Sequence, residues 1–333
     1  MNYLISICIT SYNRPEELKR CLFSIATNFA SDIQILIGDD FSPTWARVKE
    51  VVTEYSLTND IKTELVINSK NLGLDLNFHN LIKKSEGKYL LFITDDDAFL
   101  PGSIDKIIGV LRSTEISTAF APYFNRAQNC YDRKYQKSFE IAPGKAGVEK
   151  YFYNSILLSG LIFKRELIPD YNPCLLKGLN YSQVFVFNCI LFRFGGAYLD
   201  LPLIDYIGDG RNGFGSNDGE EYNPLLADRI HYLSNLEYNK GLVKTIHLID
   251  TQLGTDFYSS ISKSYALRTI SGLCYAKKFG NHALKEYKTA VNQVGFKVSI
   301  LPDLYYYILR IFGLRLTKMA LNLGKMLYRS IRT

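Results

Sequence analysis

Asp95, Asp96 and Asp97 follow directly on the apolar run Leu90-Leu91-Phe92-Ile93-Thr94 and lead into Ala98-Phe99-Leu100-Pro101. Three adjacent carboxylates raise one another's pKa, so leaving them uncompensated is unfavourable. A hard divalent cation removes the conflict, and Mg²⁺ or Mn²⁺ in such places takes one or two carboxylates together with substrate phosphates. The run therefore suggests a strand-end site for a metal and for a phosphorylated molecule. The same residues also suit the start of a helix, since Asp is a good N-cap and Pro favours the first turn. Two further polar groups follow apolar runs. Thr10, Tyr12, Asn13 and Arg14 come after Ile5–Ile9, and Asp39-Asp40 come after Ile33–Gly38. A carboxylate only accepts hydrogen bonds, which suits a base N–H or a sugar hydroxyl.

The elements that must carry these groups are readable. Residues 3–10 and Ile33–Asp40 are near-continuous apolar runs of the kind buried on both faces of a parallel sheet. Glu64–Ile67 and Lys88–Thr94 make two more strands. Helices fall between them: one after Pro15, with Glu16 and Glu17 in its first turn, one over about 43–56, and one within 71–86. The order β-α-β-α-β-α-β predicts an α/β fold with a mostly parallel, twisted sheet. Ligands of such sheets sit outside the carboxyl ends of the strands, where all three polar groups fall.

Ile-Thr-Ser-Tyr-Asn-Arg-Pro after strand one, Gly-Asp-Asp-Phe-Ser after strand two, Asn-Leu-Gly before the third helix and Gly-Lys-Tyr…Asp-Asp-Asp-Ala-Phe-Leu-Pro stand in one order over residues 3–105. Together they resemble family 2 glycosyltransferases of the GT-A fold, and more narrowly the bacterial O-antigen sugar transferases of the abequosyltransferase type. The resemblance implies a hexosyltransferase using a nucleoside-diphosphate sugar, such as CDP-abequose, and a divalent cation. It implies that Thr10, Tyr12, Asn13 and Arg14 lie under the nucleotide, that Asp39 meets the base edge with Asp40 beside it, and that Asn71 and Gly73 shape the cleft. It makes Asp95 and Asp97 the outer members of a D-x-D motif around Asp96, which holds ribose and metal, with Asp95 and Asp97 as the implied metal ligands. Inverting members also carry an acidic base further on. Here Lys177–Phe185 contains none, and no carboxylate lies between Asp170 and Asp200. Either Asp170, Asp205 or Asp209 reaches in, or the leaving phosphate takes the acceptor proton in a front-face, retaining transfer.

The 333 residues carry a net charge of +6. From 304 to 333 there are six basic residues (Arg310, Arg315, Lys318, Lys325, Arg329, Arg332) and no acid. On one continuous helix these fall within roughly 140° of arc, opposite Leu, Ile, Tyr and Met. This reads as an interfacial helix for an anionic membrane, with a packed helix and an oligomer contact as the other readings. The expected organisation is a catalytic domain over 1–222 and a helical extension over 223–333. Its expected place is the inner face of the cytoplasmic membrane, attached peripherally, with a polyprenyl-diphosphate-linked oligosaccharide as acceptor and no nucleic-acid partner. Ile207–Gly219 holds five glycines in thirteen residues, either a closing loop that brings Arg211 to the diphosphate or a plain surface loop. Six dispersed cysteines suggest reduced, buried thiols. The rival functions are a nucleotidyltransferase making an activated sugar and a non-catalytic sugar-binding module. The loop Ser11–Glu17 has one Arg and no Gly for a triphosphate, and three clustered aspartates have no evident use in a binding module.

Overall fold

The computed structural model describes residues 3–208, 231–296 and 300–330, the last ten as backbone alone. The first half alternates as its hydrophobic pattern requires: β1 (Ile5–Ser11), α1 (Pro15–Phe23), β2 (Ile33–Asp39), α2 (Trp45–Thr58), β3 (Lys62–Ile67), α3 (Leu74–Lys84) and β4 (Tyr89–Thr94). Every residue of β1 and β2 is buried, which is why their sequences show no polar alternation. These four strands are parallel in the order β3-β2-β1-β4. Their register sets Thr10 beside Thr94 and Ser11 beside Asp39, so the polar residues that follow share one edge.

The chain continues through β5 (Ala98–Phe99), α4 (Ser103–Ser113), β6 (Thr118–Phe120), β7 (Tyr123–Asn125), β8 (Cys130–Asp132), β9 (Phe139–Ile141), α5 (Lys145–Tyr151), β10 (Ile162–Lys164), α6 (Ser182–Phe194), β11 (Gly196–Tyr198) and β12 (Ile204–Tyr206). The main sheet extends past β4 as β10-β6-β11-β9, with β10 antiparallel to both neighbours. A second sheet, β5-β12-β7-β8, stands over the end of β4.

Successive strand residues face opposite sides, and each side has its own core. Ile5, Ile7, Ile9, Ile33, Ile35 and Ile37 pack with α1, α2 and α4. Cys8, Leu36, Leu90 and Phe92 pack with α3, α6 and the helices α7 (Ser234–Leu253), α8 (Phe257–Lys277) and α9 (Asn281–Val291). The C-terminal helices thus share a core with the sheet, through Leu242, Ile246 and Ile249 among others. The domain boundary expected at 222–223 lies outside the described residues. Cys8, Cys21, Cys189 and Cys274 are buried as expected, but Cys130 and Cys174 are exposed.

The tail, α10 (Leu301–Ser330), departs from a single helix at Gly313, where φ is 71° and ψ 176°. An L side chain rarely adopts this conformation, so glycine is the residue that permits the break. One wheel over 304–333 therefore does not hold, and the arc expected for a continuous helix is interrupted. Before the break, Pro302, Tyr306 and Leu309 are buried, and Asp303 pairs with Lys288 at 2.6 Å. Leu304, Tyr307, Ile311, Phe312, Leu316 and Met319 are exposed, as are Arg310, Arg315 and Lys318. No described helix is long and apolar enough to cross a membrane.

Candidate active site

The carboxyl ends of β1, β2 and β4 bring together the residues singled out from sequence, with unequal freedom. Asp95 is 4% exposed, and burial pushes its pKa up to about 7 against the pull of Arg14. Its Oδ2 accepts from Ser11 Oγ (2.8 Å) and Tyr12 N–H (3.3 Å). Its backbone N–H donates to the Thr10 carbonyl at 3.2 Å, joining the two strand ends. Asp97 is 1% exposed, and burial, then the charge of Asp96, raises it to about 6. Its Oδ1 accepts from Ile207 N–H (3.1 Å), and its Oδ2 from Ser159 Oγ (2.6 Å) and Thr94 Oγ1 (3.2 Å).

Asp97 thus fastens β4 to the Ser159 loop and to the end of β12, hydrogen bonds of the kind that also hold a metal-ligating carboxylate in place. Asp96 has an opening. Its Oδ2 lies 3.1 Å from Arg14 Nη1, and its Oδ1 has no donor among the described residues. Its carbonyl accepts from Arg20 Nη2 at 2.7 Å. Arg14 Nη1 also lies 3.5 Å from Asp95 Oδ1. Among the described residues no three His, Cys, Asp or Glu side chains are arranged to enclose an ion. The fit is to a cation held by Asp96 and Asp95 Oδ1 that takes the rest of its shell from a phosphorylated ligand.

At the end of β2 both aspartates are engaged. Asp39 is fully buried and accepts from the Ser42 N–H at 3.1 Å and from the Ser42 hydroxyl. It closes a turn at the end of β2. Asp40 accepts from Asn68 Nδ2 (2.9 Å) and the N–H groups of Leu72 (2.8 Å) and Gly73 (2.8 Å), which fixes the loop before α3. Asn71 Oδ1 takes the same Gly73 N–H at 3.1 Å. Asn13, with φ 53°, donates its N–H to Ser42 Oγ at 2.7 Å, and its Oδ1 accepts from Thr44 Oγ1 at 3.0 Å. The Tyr12–Arg14 loop is therefore clamped to the β2 turn. Ser42 was present in the quoted Asp-Asp-Phe-Ser motif, but its role depends on that clamp.

The other side of the cleft offers no free base among the described residues. Asp205 is 8% exposed and ion-paired with Arg126. Asp170 is exposed. It precedes Tyr171, whose hydroxyl meets His79 at 3.3 Å, one turn along α3 from Asp75, and its carbonyl accepts from Gln252. Asp209 and Arg211 lie outside the described residues. At the start of α6 stands an acid that sequence reasoning missed. Asp75 accepts from the N–H groups of Asn180 (2.8 Å), Tyr181 (3.1 Å) and Ser182 (3.0 Å) and from Ser182 Oγ (2.7 Å). Burial raises its pKa, and it is 2% exposed. It caps α6 from another helix, and its place in the first turn of α3 was the only local signal. Gln183 Nε2 donates to the Ile156 carbonyl at 2.9 Å.

A family model described as glycosyl transferase family 2 matches residues 6–168. The abequosyltransferase RfbV of Salmonella typhimurium is 34% identical over 270 residues, covering 72% of this chain and 77% of that protein. The Escherichia coli UDP-Glc:alpha-D-GlcNAc-diphosphoundecaprenol beta-1,3-glucosyltransferase WfgD is 24% identical over 47% of this chain and 56% of its own. The chain spans only 40% and 34% of the lengths of curated relatives from Mycobacterium tuberculosis and Haemophilus influenzae. In three dimensions, S. aureus TarS 1-349 in complex with UDP-GlcNAc matches with a TM-score of 0.53 at 15% identity, over 96% of this chain and 92% of that one. That likeness is one of fold, and it bears out the GT-A architecture expected from the four motifs. With the family match over its first half and the RfbV likeness over most of its length, the chain belongs to glycosyl transferase family 2.

Proposed function

We propose that this chain transfers a hexose or deoxyhexose from a nucleoside-diphosphate sugar to a sugar hydroxyl of a lipid-linked oligosaccharide. One observation carries the reading: the Tyr12–Arg14 loop, the Asp40-anchored loop at 71–73 and the Asp95–Asp96 pair meet on one edge of a parallel sheet. The nucleoside lies toward β2, over Tyr12 and Asn13 and beside Asn71 and Gly73. The diphosphate lies toward β4, where Arg14 supplies positive charge. A Mg²⁺ or Mn²⁺ ion held by Asp96 and Asp95 would supply Lewis-acid neutralisation of the departing diphosphate. Asp97 and Ser159 hold the floor of this region in place.

Likeness to the abequosyltransferase RfbV supports abequose as the sugar, with CDP-abequose as the donor to test first, and likeness to WfgD, which acts on a diphosphoundecaprenol-linked sugar, supports a polyprenyl-diphosphate-linked acceptor. Such an acceptor is presented at the inner face of the cytoplasmic membrane. The exposed apolar residues of α10, with Arg310, Arg315 and Lys318, support docking there as a peripheral protein. Among the described residues Asp205 is paired and Asp75 fully engaged, which supports passage of the acceptor proton to the leaving phosphate in a front-face transfer. The nucleotidyltransferase reading is disfavoured by the glycine-free loop between Ser11 and Glu17.

The test is a panel of CDP-, UDP-, GDP- and dTDP-sugars with a lipid-linked oligosaccharide, reading the released nucleotide. Acceptor-dependent release of a nucleoside diphosphate, fastest with CDP-abequose, is expected. Release of pyrophosphate, or no release from any donor, overturns the proposal.

A further inference from the structure

Arg14 stands where a metal would stand. Its Nη1 lies 3.5 Å from Asp95 Oδ1 and 3.1 Å from Asp96 Oδ2, and its side chain is 12% exposed. The two carboxylates it touches are two of the three at this strand end that could serve a cation, and the third, Asp97, already accepts from Ile207, Ser159 and Thr94. The placement is not incidental. Asn13, the preceding residue, has φ 53° and is held through its N–H by Ser42 and through its side chain by Thr44. The loop therefore delivers the guanidinium to the carboxylates before any ligand arrives. Two positive charges on one pair of carboxylates repel each other, so guanidinium and cation compete. A diphosphate changes the balance, because guanidinium pairs well with phosphate oxygens.

We infer that Arg14 is an exchangeable counter-ion, which keeps a divalent cation out of the ligand-free site and moves onto the diphosphate when the nucleotide binds. The inference rests on the nucleotide reading given above. Metal and nucleotide then enter as a coupled pair, each raising the affinity for the other by the same factor. Arg14 is a positioning residue for the cation as well as a phosphate ligand. Its two roles separate by experiment, since removing it should help the metal and harm the nucleotide.

The test uses the full chain with Mn²⁺ as probe, read by electron paramagnetic resonance of the free ion, with and without saturating CDP or UDP. Wild type should bind Mn²⁺ weakly alone and at least tenfold more tightly with nucleotide. Arg14→Gln should bind Mn²⁺ alone at least tenfold more tightly than wild type, with nucleotide affinity reduced and the coupling factor near one. Should Arg14→Gln fail to fold, the wild-type coupling decides, and a coupling below about threefold overturns the inference. A folded Arg14→Gln that binds Mn²⁺ alone no better than wild type also overturns it. Failure of any nucleoside diphosphate to bind wild type would instead remove the nucleotide reading, while the Mn²⁺-only comparison still judges the competition.

Discussion

The donor edge and the acceptor side of the cleft are built by different means. On the donor edge, polar residues follow directly on buried parallel strands, and their partners come from adjacent strand ends: Ser11 and Tyr12 on Asp95, Ser42 on Asp39, Leu72 and Gly73 on Asp40. On the acceptor side, the start of α6 is capped by Asp75, more than a hundred residues earlier in the chain, and Asp205 is neutralised by Arg126 from beyond β7. A site made by one sheet edge is local in sequence, whereas a site made where distant elements meet is not. The difference also separates roles. Of the donor-edge carboxylates Asp96 keeps an unengaged oxygen, while Asp39, Asp40 and Asp97 hold loops; across the cleft Asp75 and Asp205 are engaged and Asp170 is exposed.

The sharpest break of this comparison is between neighbours. Asp96→Ala should lower transfer by about 10²–10³-fold, the scale for losing one preorganised electrostatic contact to the transition state. Its melting temperature should stay within about 1 °C of wild type. Asp97→Ala should act through the fold, because it removes the acceptor of the part-buried Ile207 N–H and of the buried Ser159 hydroxyl, at roughly 1–3 kcal/mol for an unsatisfied group. A fall in melting temperature of roughly 4 °C or more is expected in calorimetry. If Asp97→Ala melts like wild type and loses only metal-dependent turnover, the division between the two residues is wrong.

How much could be read in advance follows the same line. Strands β1 to β4 and their helices were legible, because burial on both faces leaves continuous apolar runs and the helices between them begin at Pro15, near Pro43 and after Gly73. The turn that Asp39 closes on Ser42 was not legible, because a carboxylate closing a turn looks in sequence like one waiting for a ligand. The anchoring of Asp97 was not legible because its partners Ser159 and Ile207 lie 62 and 110 positions away. The short strands β5, β7, β8 and β12 carry too few residues for a period to show. Gly313 was invisible for another reason: an isolated glycine inside an amphipathic pattern is tolerated in a helix, so only the backbone angles reveal the break.

The tail tests whether the membrane reading survives that break. Deleting 304–333 would strip the buried Tyr306 and Leu309 from the core and confuse docking with folding. Arg315→Gln with Lys318→Gln leaves those contacts alone, since both side chains are exposed. Each basic residue near an anionic surface contributes about 1 kcal/mol, so the double variant should bind phosphatidylglycerol-containing vesicles roughly 30-fold more weakly. Transfer to a soluble acceptor analogue should be unchanged. Vesicle sedimentation that does not distinguish the variant from wild type would leave this face as ordinary solvated surface.

The smallest expected effect concerns the acids of the acceptor side. A general base contributes about 10²–10⁴-fold to a rate, and it needs an oxygen able to take the acceptor proton. Asp205 shares its carboxylate with Arg126, and the Arg126 side chain is 58% exposed, so breaking the pair costs little stability. Asp170 is exposed beside Tyr171, which packs against His79 and not against the β4 end. Asp205→Asn and Asp170→Asn should therefore each change the rate of transfer by less than about threefold, and proton NMR of the first product should show the anomeric configuration of the donor retained. Asp209→Asn belongs in the same series, because Asp209 follows β12 by three residues in sequence. A loss of about 10²-fold or more in one of these three variants, with inverted product, would make that residue the base and end the front-face account. Small losses throughout with retained product would mean that the donor's own phosphate does the work of the missing acid.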